Sequence, residues 1–152
     1  MSDRPPYDDS AQHALWNRKK LPPILPVFRR VVVAHIDPAV GQSIALMLGF
    51  KRFPCVYAAN LRSTRHLLEE WGAQALLLDT RLDVDSDFAF IRRFTSTPSN
   101  ATRLVIGLSS IYPEDSMSTL KTVGFDGHCR RPCPIWRLSD ILSEYFDRAP
   151  YP

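Results

Sequence analysis

The chain has few cysteines for its 152 residues, only Cys55, Cys129 and Cys133. An odd, small set of thiols cannot build a disulfide framework, and it suits a reducing compartment in which cysteines serve as small apolar residues. No apolar run approaches the roughly 18–20 residues of a membrane span. The opening MSDRPPYDDS lacks the charged-then-apolar layout of a signal peptide. Charge of one sign is also scarce: the net charge is +3, with the pairs Arg29-Arg30, Arg92-Arg93 and Arg130-Arg131 but no long basic run. These absences lead us to expect a cytoplasmic protein with neither a membrane nor a nucleic acid as partner. A Gly/Ser/Thr-rich phosphate loop is missing as well. The stretch HIDPAV after the first apolar run has no string of free backbone N–H groups to cradle a phosphate, which disfavours a small-molecule binder or enzyme such as a flavin carrier.

What is present suits one domain. Hydrophobic residues make up 45% of the chain, enough for a real core. Residues 1–28 form a proline-rich leader. Its stretch from Ser10 to Lys20 predicts a short helix with Ala14 and Leu15 on one side, and LPPILPVF reads as extended. The leader is expected either to dock on the domain or to bind a partner. Residues 29–148 alternate between apolar strands and helices. Strands are expected at RRVVVAH, PCVYAA, QALLLD, TRLVIGLSS and FDGHCR. Helices are expected from Pro38 to Gly49 with Asp37 as N-cap, Leu61 to Trp71, Phe88 to Phe94, Glu114 to Val123 and Ile135 to Phe146. Such alternation predicts an α/β fold, a doubly wound parallel sheet covered on both faces. Residues 149–152 form a C-terminal tail, and no output domain is expected after DRAPYP.

Ligand chemistry on an open parallel sheet gathers at the carboxyl ends of the strands. Those ends carry His35-Ile36-Asp37, Asp79, Ser109-Ser110 and Arg131-Pro132. Together with Phe88 and the motifs VVVAHIDPAV, ALLLDTRL, RLVIGLSS and GFDGHCRRPCP, this set resembles the receiver domain of two-component response regulators. The resemblance runs from Arg30 to Phe146. It implies a flavodoxin-like, five-stranded sheet of order 2-1-3-4-5 with five helices. It implies a phospho-acceptor at Asp79, a switch hydroxyl at Ser109, a basic partner at Arg131 and a switch aromatic position at His128. Through the resemblance the partners would be signalling proteins, a histidine kinase or an output protein. A homodimer through the fourth-helix, fifth-strand, fifth-helix face is a further expectation, with Arg130, Ile135 and Trp136 as interface candidates.

The sequence departs from the family where the chemistry lies. The two acid positions before the first helix hold His35 and Ile36, with Asp37 on the variable position. The family lysine is Arg131, and the loop LDVDSD has no glycine. Mg²⁺ demands hard oxygen ligands in near-octahedral geometry, and only Asp79 and the Arg81 carbonyl remain from the family set. Mg²⁺ binding is therefore expected to be weak and no other cofactor is expected. HCRRPC is not read as a soft-metal site, because Cys129 and Cys133 lack CxxC spacing. Two readings stay open. One is a non-enzymatic interaction module in which Asp79 is held by Arg131, with or without His35. The other is a genuine phospho-acceptor at Asp79. His35 also reads as a buried histidine satisfied by the backbone, and His128 as an exposed substitute with no switching duty.

Overall fold

Val31, Val32 and Val33 are β-branched, fully buried and flanked by strands on both sides, which is where a continuous apolar run is stable. They open β2 (Val31–Ala34), after the leader strand β1 (His13–Leu15). The chain continues through α1 (Pro38–Phe50), β3 (Cys55–Ala58), α2 (Leu61–Glu70) and β4 (Ala75–Asp79). It then forms α3 (Ala89–Ser96), β5 (Leu104–Ser109), α4 (Met117–Val123), β6 (Gly127–Arg130) and α5 (Ile135–Phe146). This is a computed structural model, and it describes residues 12–23, 28–110 and 115–148.

The sheet order is β1-β6-β5-β4-β2-β3. Without β1, all pairings are parallel and the order is that of the flavodoxin-like fold. One core cluster, with Leu48, Leu138 and Tyr145, lies under α1 and α5. A second, with Leu68, Ile91 and Leu120, lies under α2, α3 and α4. Two helical layers on one parallel sheet place all loops that follow strands at one edge.

Two expectations from the sequence need correcting. The sheet has a sixth strand, and it is antiparallel. It comes from the stretch read as a short helix, of which the part before residue 12 lies outside the described residues. His13, Ala14 and Leu15 pair with Cys129, His128 and Gly127. A helix this short is marginal by itself, whereas the edge of β6 offers unpaired backbone groups. Gly127 leaves room for the added strand: a Cβ there would lie 2.4 Å from the Ala14 carbonyl oxygen. Trp16 Nε1 donates to the Phe125 carbonyl at 2.7 Å, and Lys20 Nζ meets the buried Asp126 carboxylate at 2.8 Å. The docked part of the leader is thus covered by specific contacts. Its segment Ile24 to Val27 lies outside the described residues.

The helix expected from Glu114 begins only at Met117, with Ser116 as N-cap. Asp115 is drawn instead into the sheet edge, where its carboxylate accepts from Thr80 Oγ1, Ser110 N and Ser110 Oγ. The glycine-free loop after β4 takes left-handed backbone at Asp87 and Phe88, with φ of 56° and 57°. Asp83 sustains this strain. Its carboxylate accepts from the N–H groups of Phe90 and Ile91, capping α3 from seven and eight residues away.

Candidate functional site

Asp79 ends β4 beside Leu108 of β5 and is fully buried. Burial raises a carboxyl's pKa, yet Asp79 is held below the usual range, because hydrogen bonds from Arg81 and the Ile36 backbone and the charge of Arg131 outweigh that cost. Oδ1 accepts from Arg81 N at 3.0 Å, Arg81 Nε at 3.0 Å and Arg131 Nη1 at 2.8 Å. Oδ2 accepts from Ile36 N at 3.0 Å and Arg81 Nη2 at 2.8 Å. Both oxygens are fully engaged by donors that the chain itself supplies.

The structure brings Asp79, Arg131, Ile36 and His35 together as the strand ends predict, and it gives Arg81, a pocket residue already expected, a different role. Arg81 had been credited only with a carbonyl. Its guanidinium instead folds back over Asp79 as a forked pair. The signal was present in LLLDTR, since an arginine two residues past a strand-ending aspartate can reach back into the same turn. Thr80 was missed. Its hydroxyl donates to Asp115 and accepts from Arg131 Nη1 at 3.3 Å.

His35 does not act as a cation. Its Nδ1 lies 3.5 Å from Asp79 Oδ2, an ion-pair distance were the ring protonated. The same nitrogen accepts the Asp37 N–H at 3.0 Å, so it presents a lone pair and not a proton. Burial lowers the His35 pKa, against the pull of Asp79. His35 is a neutral, buried histidine satisfied by backbone. The second cation beside Asp79, after Arg131, is therefore Arg81.

The remaining site residues fall elsewhere. Asp37 caps α1, its Oδ1 accepting from Ala39 N at 3.0 Å. The Ile36 side chain is exposed and contributes only its N–H. Ser109 is buried and its hydroxyl pairs with His128 Nδ1 at 2.9 Å. His128 is fully buried, which corrects the exposed reading. Its ring lies 5.6 Å from Trp16 of the leader, and its Nε2 has no hydrogen-bond partner among the described residues. Burial and the nearby Arg130 and His13 push its pKa down to about 4. Arg130 is committed to the carbonyls of Ser110 and Asp115. Trp136 is 53% exposed, with the Arg137 guanidinium 4.4 Å over its ring, and Ile135 packs beside the core.

These residues do not fit the Mg²⁺ that the resemblance to receiver domains implies. The acid positions hold an imidazole and an outward isoleucine, Asp37 is turned to its own helix, and two guanidiniums occupy the space beside Asp79. Among the described residues, no group of three His, Cys, Asp or Glu side chains converges as a metal site.

No family model matches the chain, and neither does any curated protein. Solved structures do match. The chemotaxis response regulator CheY4 of Vibrio cholerae superposes with a TM-score of 0.69 at 15% identity, over 79% of this chain and 100% of that one. The receiver domain of Francisella response regulator 1452 gives 0.66 at 20% identity, over 78% and 97%. The receiver domain of a histidine kinase from Syntrophus aciditrophicus gives 0.68 at 18% identity, over 78% and 89%. The site therefore sits on the flavodoxin-like fold of signalling receivers. In particular, the chain has the fold of response regulator receiver domains, with one antiparallel strand added at the β6 edge.

Proposed function

We propose that this chain is an atypical receiver that works as a non-enzymatic protein–protein interaction module in two-component-type signalling, without Mg²⁺-dependent phosphorylation. The observation that carries this reading is the saturation of Asp79 by Arg81, Arg131 and Ile36. Attack on phosphorus needs a free carboxylate lone pair and a cation to hold the phosphoryl oxygens in line. Here the cations hold the nucleophile instead.

A partner surface supports the same reading. Helix α1 is apolar on both sides. Ile44 and Leu48 face the core, while Val40, Met47 and Phe50 make an exposed stripe at helical spacing, with the exposed Ile36 just before the cap. The stripe borders a cavity of about 750 Å³ whose lining includes Val40, Met47, Ile135 and Arg131. The module's partner would be a signalling protein with a complementary apolar helix face. The edge of β6 is already taken by the leader, so a homodimer on that side would rest on α4, α5 and Trp136.

Incubation with acetyl phosphate and Mg²⁺, followed by intact-mass measurement, tests the reading; the expected result is no phosphoryl mass. A shift in the wild type that vanishes in Asp79→Ala would overturn it. A second reading, a conditional phospho-acceptor, draws on the 44% exposure of the Arg81 side chain, which can swing into solvent. Under it, Arg81→Ala would gain the phosphoryl mass.

A further inference from the structure

Helices α2 and α3 lie side by side on the sheet face opposite α1, joined through Leu68, Phe90 and Phe94. Their seam opens outward as two adjoining hollows of about 490 and 460 Å³, which share Arg65, Glu69, Phe90 and Arg93. Arg62 and His66 border one hollow and Arg103 the other. Four guanidiniums thus line one trough.

Their pairing sets them apart. Arg18, Arg29, Arg81, Arg131 and Arg148 each hold a carboxylate. Among the described residues, Arg62, Arg65, Arg93 and Arg103 donate no side-chain hydrogen bond and form no ion pair within 4.0 Å. Two acids lie in the trough. Asp83 is buried and committed to the N–H groups of Phe90 and Ile91. Glu69 faces Arg103, whose guanidinium is half-buried. The cations outnumber the acids, and their mutual repulsion is relieved when an anion enters. Guanidinium forks match phosphate oxygens two at a time. The Arg65 guanidinium is already oriented, lying 5.8 Å from the Phe90 ring centroid. Ser99 and the second amide N–H of Asn100 add neutral donors along the rim, while the Ser86 hydroxyl is committed to Asp83.

We propose that the α2–α3 trough binds a ligand carrying two or more phosphates, an oligophosphate chain that is free or forms the tail of a nucleotide. The hollows are of the size that small-ligand sites occupy. The trough shares no residue with the Asp79 site, so this inference stands whether or not that site accepts a phosphoryl group.

Calorimetric titration of the full chain in low salt, without Mg²⁺, tests it with inorganic tripolyphosphate in one arm and nucleoside triphosphates in the other. Saturable binding is expected, weakened by about tenfold or more in Arg65→Ala/Arg93→Ala and unchanged in Lys51→Ala, which removes one positive charge at the end of α1. Equal affinity in both arms assigns recognition to the phosphate chain, and tighter nucleotide binding adds the base. Arg62→Ala/Arg103→Ala, with circular dichroism to check folding, supplies a second variant that flanks the same trough. Absence of saturable heat in both arms overturns the proposal, as does an equal loss in Lys51→Ala. Binding confined to long nucleic acids with a steep salt slope overturns it too.

Discussion

Asp79 and His128 are both buried and titratable, and acid acts on them through different windows. The Asp79 pKa lies lower in the folded chain than in the unfolded one, where an aspartate titrates near 3.9. Its contribution is therefore complete above about pH 3.9 and is lost as pH falls through the folded value. His128 is also depressed, to about 4, against about 6.5 in the unfolded chain. Between those values the unfolded state carries the extra proton, so stability falls as pH drops from about 6.5 toward 4. Urea unfolding at stepped pH should show that slope in the wild type, and His128→Phe should reduce it to the part that His35, also depressed by burial, contributes, while leaving the loss at lower pH. A slope unchanged in His128→Phe would mean that the ring titrates normally. Asp79→Ala leaves Arg131, whose side chain is only 15% exposed, without its carboxylate. The expected cost is about 3 kcal/mol of unfolding free energy, as for other broken buried pairs. A gain in stability would show that desolvation dominates the pair. The aspartate and its arginine neighbour were legible in the sequence as strand-end residues. The charge state of His35 was not, because it depends on which lone pair meets the Asp37 N–H.

At the scale of elements, the leader and α1 were the least legible. Three residues pairing antiparallel leave no period that separates a strand from a short helix. The decisive group is Gly127, on a different strand more than a hundred residues later. Gly127→Ala should push the Ala14 carbonyl away and free β1 without altering any leader residue. Hydrogen exchange should then speed up at Gly127–Arg130, and Trp16 fluorescence should move toward that of an exposed indole. Unchanged protection of β6 would count against the leader strand. For α1, Asp37 as cap and Pro38 at the first turn predict the helix, but its outward stripe is not legible in the sequence because both faces are apolar. If that stripe carries the partner, Val40→Glu/Met47→Glu should abolish capture of the signalling partner, while Trp136→Ala should weaken it less. These positions are half-exposed on the surface, so the unfolding free energy should stay within about 0.5 kcal/mol of wild type.

Across the whole molecule, the sheet divides labour between its two ends and its two faces. The Asp79 cluster closes the carboxyl edge, the leader closes the β6 edge, and the arginine trough lies on the face away from α1. No helix among the described residues is long and apolar enough to cross a membrane. Deleting residues 1–20 should expose both the backbone edge of β6 and the Asp126 carboxylate that Lys20 pairs. Sedimentation should then show concentration-dependent association stronger than that of the intact chain, since an unpaired strand edge recruits a second copy. A truncated chain that stays monomeric at all concentrations would show that α4 and α5 alone guard this side.

The order of strands and helices along the chain, and the carboxyl edge with Asp79 as the candidate site, were determined by local pattern, because apolar runs, caps and strand ends are written in neighbouring residues. The tertiary structure alone decided that Arg81 shares Asp79 with Arg131, that His35 is neutral, that His128 is buried beside Trp16 and that His13–Leu15 of the leader pair as a strand. Each of these depends on which donor or surface arrives from a distant part of the chain, and on how burial then weighs charge against hydrogen bonding.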